Sequence, residues 1–329
     1  MVWRTREAVG RDLETLGHLL RTLLPFDRNP VPAEWTHITK IDPEPEKQFP
    51  TLYPLYLQHT DAVSVGGSSN VTDRNTEETF ELLEEARTKA FHEPSEARHV
   101  TRNTISAAEF LAIPEVLNGH SDALVGTLGE GIHYLESEIV PEIVSRTVPG
   151  WVRSGRREQL VSVLVDILLQ RAVFEAYIIQ NPESEAAKQS GVSKSDTLTP
   201  AEARDRAMAA ERHLDSEIIY LEYSGTFGDD EAEAILNEIS GGVTGPRIWY
   251  GGGIDSREKA TKMLQAGADT VIVGDIFHDI ADEERQLFDE LREDVEGAPT
   301  RSNIADWLRE HVDMEATSAA RYLSTIPSV

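Results

Sequence analysis

Cysteine is absent from this 329-residue chain, and lysine is scarce. Without thiols the protein has no disulfide, no thiolate nucleophile and no cysteine-ligated zinc site. Only seven of its 31 basic residues are lysine, whereas aspartate and glutamate number 58, so the formal net charge is −27. Such a balance is typical of a salt-rich cytosol, where the Debye length falls to about 3 Å near molar salt and self-repulsion is screened. We therefore predict a halophilic, cytoplasmic protein.

Long apolar runs and basic stripes are also missing. No stretch of 18 apolar residues occurs, so no transmembrane helix is expected, and the acidic balance argues against a nucleic-acid partner. The ten histidines form no HExxH motif, so we expect any metal to be a hard cation held by oxygen, such as Mg2+. Residues 1–25 are predicted to form an amphipathic helix and not a signal peptide.

Short β-branched runs alternate with helical stretches along the chain. The clearest predicted strands are 35–41, 61–66, 176–180, 217–223, 247–250 and 270–274, and the weaker ones are 97–102 and 122–127. The predicted helices are 76–90, 157–171, 200–214, 230–239 and 256–266. Strands that alternate with helices form a parallel sheet, and eight such units predict a modified α/β fold of the (β/α)8 barrel type, in one domain spanning 1–329.

Two segments depart from this regular alternation. Residues 93–171 are irregular and carry an insertion, a lid or an oligomer contact. Within them the leucine-rich helix at 159–170 has two open interpretations, a subunit contact or a cover for the barrel. Residues 296–329 are predicted to form a helical extension after the barrel closes.

Glycines and an acid follow the last two predicted strands, at the end where barrel enzymes carry their active sites. Gly251, Gly252 and Gly253 allow backbone N–H groups to approach an anion at a helix N-terminus. Gly274 and Asp275 would form the second half of a phosphate site, although Asp275 is itself acidic. A tight strand-to-helix turn is the alternative interpretation of the three glycines.

Polar residues at two other strand ends suggest acid–base and metal chemistry. Alternation places Tyr220, Glu222 and Ser224 on one face, and Glu222 is a candidate general base for a substrate hydroxyl. After the first strand, Lys40 and Asp42 share a face, with Lys40 suited to a phosphate and Asp42 to Mg2+. The alternatives are a structural glutamate paired with an internal cation, and a Lys–Asp salt bridge.

The glycine-rich end of the second strand contributes Ser68, whose hydroxyl can join Asp42 at the metal. The alternative is a simple glycine-rich turn. Base, metal ligand and phosphate cradle together suggest a hydroxyl that attacks a carbon whose leaving group is a Mg2+-bound phosphate or pyrophosphate.

Five motifs, TKIDP, VGGS, YLEYSG, YGGGI and GAD–VIVG, in this order resemble those of the geranylgeranylglyceryl phosphate synthase family and its bacterial heptaprenyl relatives. The resemblance covers about 35–72 and 200–280 and is weak across 93–171. It implies a barrel in which a less regular segment replaces one helix. It also implies Mg2+-dependent transfer of a polyprenyl group, with geranylgeranyl diphosphate as donor, to the 3-hydroxyl of sn-glycerol 1-phosphate in archaeal ether-lipid synthesis.

The motif positions imply roles for individual residues. Lys40 would contact glycerol phosphate, Asp42 and Ser68 would hold Mg2+, and Glu222 would be the base, with Tyr220 beside it in catalysis. The remaining implied substrate-binding residues are Leu221, Tyr223, Ser224, Gly225, Gly251, Gly252, Gly274 and Asp275. Asp275 stands where the family usually has asparagine.

Two other functions stay open at the level of sequence. One is a phosphate-binding barrel enzyme of the isomerase type, and the other is a non-catalytic paralogue that binds a phosphorylated ligand. Since the product of prenyl transfer is amphiphilic, peripheral membrane association is expected, as is assembly into a homo-oligomer.

Overall fold

The computed structural model describes residues 27, 29–67, 69–149, 151–295, 297–298 and 300–327. The predicted helix at 1–25 and the candidate metal ligand Ser68 lie outside the described residues. Within those ranges, eight parallel strands form one sheet in the order β3-β2-β1-β8-β7-β6-β5-β4. The strands are β1 His37–Ile41, β2 Ala62–Val65, β3 Ala90–His92, β4 Ala112–Val116, β5 Val173–Ile179, β6 Ile218–Glu222, β7 Arg247–Gly251 and β8 Thr270–Val273.

The sheet closes into a barrel between β3 and β4 through one short parallel bridge. The bridge joins His92 to Leu111. The His92 N–H donates to the carbonyl of Phe110 at 3.2 Å, and the Glu109 N–H donates to the carbonyl of Ala90 at 2.9 Å. The other neighbouring strands share ladders of three to five residue pairs. The predicted (β/α)8 barrel is therefore confirmed, with its thinnest seam at this bridge.

Helices cover the outside of the barrel. In the described chain they are α1 Tyr53–Leu57, α2 Asp73–Ala86, α3 Arg102–Ala107, α4 Thr127–Tyr134, α5 Val140–Thr147, α6 Ser154–Leu169, α7 Glu185–Ser190, α8 Pro200–Ala209, α9 Asp229–Gly242, α10 Arg257–Gln265, α11 Asp275–Asp294, α12 Arg301–His311 and α13 Ser318–Thr325. Single-turn segments of 3-10 or π type are Ala97–His99, Asp122–Gly126, Leu135–Ile139 and Ala210–Leu214. None of the described helices combines the length and apolar composition needed to cross a membrane.

Alternation along the strands separates two apolar layers. Ile38, Tyr220 and Trp249 belong to the cluster inside the barrel. Leu221 and Tyr223 belong to the larger cluster between the sheet and the helices. Successive strand residues point to opposite faces, so the side chains at 220 and 222 face the barrel interior, as the sequence predicts.

The two weakly predicted strands are wrong. Residues 97–102 contain a 3-10 turn and the start of α3, and residues 122–127 contain a π-type turn that leads into α4. The true β3 has only three residues, and the true β4 includes Pro114, a residue that normally argues against a central strand. The proline is tolerated because β4 borders the thin seam, where few ladder hydrogen bonds form.

All five predicted helices are present with shifted ends. The helix predicted at 76–90 begins at Asp73 and ends at Ala86. Arg87 caps it in a left-handed conformation with φ 57°, and its N–H donates to the carbonyls of Leu83 and Glu84. This reversal frees Ala90 to begin β3.

The irregular region 93–171 holds β4 and four helices, and its last helix does not pack on the barrel core. Val165 of α6 lies in a separate apolar cluster with Leu135, Ile139, Val140 and Val144. This small cluster stacks α6 on α5 and the π-type turn before it, outside the main helix layer.

The C-terminal region contributes α13, which packs on the outer face of β1. The Tyr322 hydroxyl shares a hydrogen bond of 2.7 Å with the Thr39 hydroxyl. On the next turn, the Thr325 hydroxyl lies 3.0 Å from His37 Nε2. Because Tyr322 is fully buried, α13 belongs to the barrel's outer layer and covers its first strand.

Candidate functional site

A cavity of about 1010 Å3 opens at the carboxyl ends of the strands. Its wall includes most residues predicted from the sequence: Lys40, Asp42, Tyr220, Glu222, Ser224, Gly225, Gly251, Gly252, Gly274 and Asp275. The side chains of Leu221 and Tyr223 lie instead in the outer apolar layer. The fold therefore brings together residues from both ends of the chain at one mouth of the barrel.

The glycine loop after β7 passes close to neighbouring residues. Gly252 and Gly253 have φ angles of 152° and 55°, which favour glycine. A Cβ at Gly251 would overlap the Tyr220 hydroxyl, and one at Gly253 would lie 2.8 Å from the Phe227 nitrogen. The loop can adopt this path only without side chains, and its main chain lines the cavity.

Two cations hold the end of this loop through one carboxylate. Lys259 Nζ lies 2.9 Å from Asp255 Oδ1 and donates to the Gly253 carbonyl at 3.1 Å. Arg321 Nη2, from α13, donates to Asp255 Oδ2 at 2.8 Å. Sequence reasoning missed Arg321 because it lies far from the recognised motifs. The C-terminal helix thus contributes a cation to the cavity rim.

The second glycine site is the start of α11. Gly274 is the N-cap residue, and Asp275 is the first residue of this 20-residue helix. The first-turn N–H groups of a helix have no intrahelical acceptors, and the helix dipole favours an anion near them. The glycine loop and the α11 N-terminus thus form two sides of a region suited to phosphate.

Glu222 lies between this region and the barrel interior. The residue is 5% exposed, and Ser224 donates a hydrogen bond to Oε1. Within the described residues, Oε2 has no hydrogen-bond partner. Burial raises the pKa of Glu222, while the Ser224 hydrogen bond and the Lys40 charge oppose the rise. A buried carboxyl with an open oxygen and a raised pKa is suited to accept a proton.

Glu93, which follows β3, is a cavity residue that sequence reasoning missed. It accepts hydrogen bonds from Lys40 Nζ at 2.9 Å, the Tyr177 hydroxyl at 2.5 Å and the Ser64 hydroxyl at 2.8 Å. Burial lowers the pKa of Lys40, but Glu93 and other neighbours outweigh it, so the net pKa is raised and the amine stays charged. The ion pair of Lys40 is therefore with Glu93 and not with Asp42.

A second missed carboxyl, Glu175, lies inside the barrel. It is fully buried, and within the described chain neither of its oxygens has a hydrogen-bond partner. Burial raises its pKa well above the ordinary value; the Glu93 charge adds to the rise, whereas Lys40 opposes it. An unpaired charge at such a site would be costly, so Glu175 is held protonated.

Asp42 lies at the cavity mouth among charged neighbours. Its side chain is 16% exposed and forms an ion pair with Lys47. Its N–H donates to His278 Nε2 at 3.3 Å, and burial lowers the pKa of that imidazole, so the ring is a neutral acceptor. Across the described ranges, no three His, Asp or Glu side chains gather closely enough to hold a metal ion by themselves.

Known proteins match this chain over most of its length. The PcrB family profile matches residues 32–293. Geranylgeranylglyceryl phosphate synthase from Halobacterium salinarum is 29% identical over 266 residues, which is 80% of this chain and 94% of that protein. Heptaprenylglyceryl phosphate synthase from Bacillus cereus is 32% identical over 246 residues, which is 74% of this chain and 91% of that protein.

A solved structure shares the fold. It is the crystal structure of (S)-3-O-geranylgeranylglyceryl phosphate synthase from Thermoplasma acidophilum in complex with its substrate sn-glycerol-1-phosphate. The TM-score is 0.55 at 17% identity, over 90% of this chain and 94% of that one. Since the family profile spans well over half of the sequence, the chain belongs to the PcrB family.

Proposed function

We propose that this protein is a prenyltransferase that joins sn-glycerol 1-phosphate to geranylgeranyl diphosphate. The products are 3-O-geranylgeranyl-sn-glyceryl 1-phosphate and pyrophosphate, in ether-lipid biosynthesis. The observation that carries the proposal is Glu222, a buried residue with one unpartnered carboxylate oxygen among the described residues, which lines the same cavity as a two-sided phosphate cradle. The relatives named as glycerol phosphate prenyltransferases support the substrate class.

The phosphate of the acceptor is expected to bind between the glycine loop and the start of α11. Gly251 and Gly252 offer main chain without side-chain obstruction, and Gly274 with Asp275 offers the N-terminal dipole of a long helix. Lys40 lines the same cavity, and its charge is fixed by Glu93. Backbone donors thus position the phosphate.

Bond formation needs the acceptor hydroxyl to lose its proton as it attacks. Glu222 Oε2 accepts the proton of the 3-hydroxyl while that oxygen bonds to C1 of the prenyl group, and the bond from C1 to the diphosphate oxygen breaks. Ser224 donates to the other carboxylate oxygen, which leaves the buried Oε2 without a partner in the described chain and available to the 3-hydroxyl when the acceptor binds. The Tyr220 ring, 4.4 Å from the Tyr177 ring between centroids, forms a rigid floor.

Asp42 is suited to hold a Mg2+ ion whose other ligands come from the substrate. Mg2+ usually takes one or two carboxylates and completes its shell with phosphate oxygens and water. Asp42 lines the cavity and forms an ion pair with Lys47. A bound Mg2+ would either displace the Lys47 amine from the carboxylate or share the carboxylate with it. When bound, the ion would stabilise charge on the departing diphosphate. Ser68 stays a predicted second ligand.

The prenyl chain is expected to follow a narrow apolar groove beside the cavity. Pro94, Pro114 and Thr127 line both spaces, so the two are adjacent. The groove continues between β4 and α4, past Ile132 to Leu169. Its lining is almost entirely apolar, which suits a hydrocarbon chain, but its volume of about 70 Å3 means that it must widen to admit one.

The test is an assay of purified protein in high KCl with Mg2+, radiolabelled sn-glycerol 1-phosphate and geranylgeranyl diphosphate. Label should move into the organic phase from the 1-phosphate and not from sn-glycerol 3-phosphate, the matched control. Absence of transfer with every prenyl length tried, from protein shown by circular dichroism to be folded, would refute the proposal. Cytoplasmic location, halophilic character and homo-oligomeric assembly stay predictions.

A further inference from the structure

Helix α6 presents apolar side chains on two faces. The inner face, with Val165, packs in the small cluster described above. On the outer face Leu160, Val163 and Ile167 are 38%, 52% and 41% exposed, and Trp151, just before the helix, is 83% exposed. In the described chain these residues form the largest sequence-local group of exposed large apolar side chains.

The charge of this segment is opposite to that of the whole protein. Residues 151–171 contain four arginines but only two acids: Arg153, Arg156, Arg157 and Arg171 against Glu158 and Asp166. The whole chain has a net charge of −27. Arg156 precedes Leu160 by four residues, and Val163 and Ile167 follow at helical spacing, so all four share one face. Among the described residues, Arg153 and Arg156 have no carboxylate within ion-pair distance.

We propose that this surface rests on an anionic lipid bilayer. It comprises Trp151, Arg153, Arg156, Leu160, Val163 and Ile167, and we name it the α6 surface. The inference rests on the proposed function and deepens it, since it states where the prenyl donor enters. Helices that lie in a membrane interface combine apolar side chains and tryptophan with flanking basic residues.

Screening explains how an acidic protein can bind an acidic membrane. The Debye length is about 8 Å at physiological ionic strength and about 3 Å in the near-molar salt predicted for this protein, so only charges in contact with the bilayer interact strongly with it. The α6 surface has a local excess of arginine, although the neighbouring π-type turn and α5 carry Glu136, Glu138 and Glu142. The arginines that touch the bilayer are therefore the charges expected to contribute most to binding.

The α6 surface is also connected to the groove proposed for the prenyl chain. Leu169, near the end of α6, lines that groove, which meets the main cavity at Pro94, Pro114 and Thr127. A 16-residue helix is about 24 Å long. A bilayer in contact with α6 would therefore lie next to the outer end of the groove, and the prenyl chain could pass into the groove without crossing water.

A second copy of the chain is a poorer match for this surface. A two-fold interface places the same patch of both copies face to face, which would bring the arginines of both copies together. Within residues 151–171 only Glu158 and Asp166 could serve as partners. Lipid phosphates supply the missing negative charge and accept paired hydrogen bonds from arginine.

The test is cosedimentation of the full chain with vesicles of zwitterionic phosphatidylcholine alone or with one third phosphatidylglycerol. We expect wild type to sediment with the anionic vesicles and not with the neutral ones. Val163→Glu should reduce the bound fraction at least about tenfold. Phe288→Glu is the matched control, since Phe288 is 53% exposed on α11, and should bind like wild type. Both variants replace exposed residues and should unfold near the wild-type temperature.

Two results would overturn the inference. One is wild type that stays in the supernatant with anionic vesicles, and the other is Val163→Glu protein that binds them as wild type does. If Val163→Glu instead lowers the mass in solution and wild type ignores vesicles, the α6 surface joins copies of the chain. Transfer to a water-soluble short-chain prenyl diphosphate, measured without vesicles, tests the proposed function separately and should be equal in all three proteins.

Discussion

Replacing Glu222 by glutamine removes the proposed base while keeping its size. General acid–base catalysis by one side chain typically contributes a factor of 10² to 10⁴. The residue is only 5% exposed, so bulk water cannot readily replace its carboxyl group as the base. We expect kcat to fall about 10³-fold, which corresponds to about 4 kcal/mol of transition-state stabilisation. Ser224 can still donate to the amide oxygen, so affinity for sn-glycerol 1-phosphate should change little.

The assay should separate chemistry from binding. Single-turnover transfer at saturating substrates reports the chemical step, and calorimetric titration reports the affinity for glycerol phosphate. Because burial raises the pKa of Glu222, the acid limb of kcat/KM should lie above the ordinary range of glutamate and should be missing in Glu222→Gln. A variant that keeps more than a tenth of the wild-type rate would remove Glu222 from the role of base.

Glu175→Gln is the matched control for this substitution. Glu175 is another buried carboxyl of the barrel interior, but it lies behind the cavity wall and is held protonated. Glutamine resembles the protonated carboxyl in size and in its lack of charge. The rate should stay within about twofold of wild type, and a large loss would show that the Glu222 result reflects general damage to the barrel.

Three further predictions test other parts of the structure. Because folding raises the pKa of Glu175, wild-type stability should fall as pH rises above the ordinary glutamate value, by up to about 1.4 kcal/mol per pH unit. Glu175→Gln lacks this loss and should be the more stable protein in urea at pH 8 but not at pH 4.5; equal stability at pH 8 would contradict the burial argument. Asp42→Asn should raise the Mg2+ concentration for half-maximal activity at least about tenfold, and an unchanged titration would refute the assignment. Gly251→Ala should lower the free energy of unfolding by about 1–3 kcal/mol through overpacking, whereas Gly241→Ala, with open space around its Cβ in α9, should raise it by about 0.5–1 kcal/mol. Calorimetric melting that shifts both variants the same way would argue against the close packing of the glycine loop.

The six strands with clear patterns were predictable because each is a short apolar run followed by small or polar residues. Tyr220 and Glu222 of β6, for example, share the inward face, and both line the cavity with Ser224, which follows the strand. The helix boundaries were less predictable, since a single left-handed residue such as Arg87 decides where a helix ends.

The two strands that escaped prediction lack the signals on which pattern reasoning depends. β3 is too short to show alternation, and β4 contains Pro114 and the polar Glu115 within five residues. The position of Pro114 becomes understandable only when its strand is seen beside the thin seam of the barrel. Non-local pairing, and not local preference, makes this segment a strand.

The missed site residues follow from these errors. Glu93 could not be placed at a strand end while β3 itself was misplaced. Glu175 lies one residue before the predicted start of its strand, although alternation with Tyr177 and Ile179 would have sent it inward. A wider search for acids within apolar strands would have found Glu175, whereas Glu93 had no comparable signal.

The contact between Tyr322 and Thr39 has a consequence for synthesis on the ribosome. The two residues are 283 positions apart, and translation adds roughly 5–20 residues per second. The outer face of β1 therefore stays uncovered for roughly 15–60 s after that strand leaves the tunnel. It is covered when α13 packs against it, with the Tyr322 ring 5.4 Å from the Phe277 ring between centroids. A nascent chain halted before α13 has an open barrel wall and a cavity rim without Arg321, and such a product is expected to be degraded rather than to work slowly.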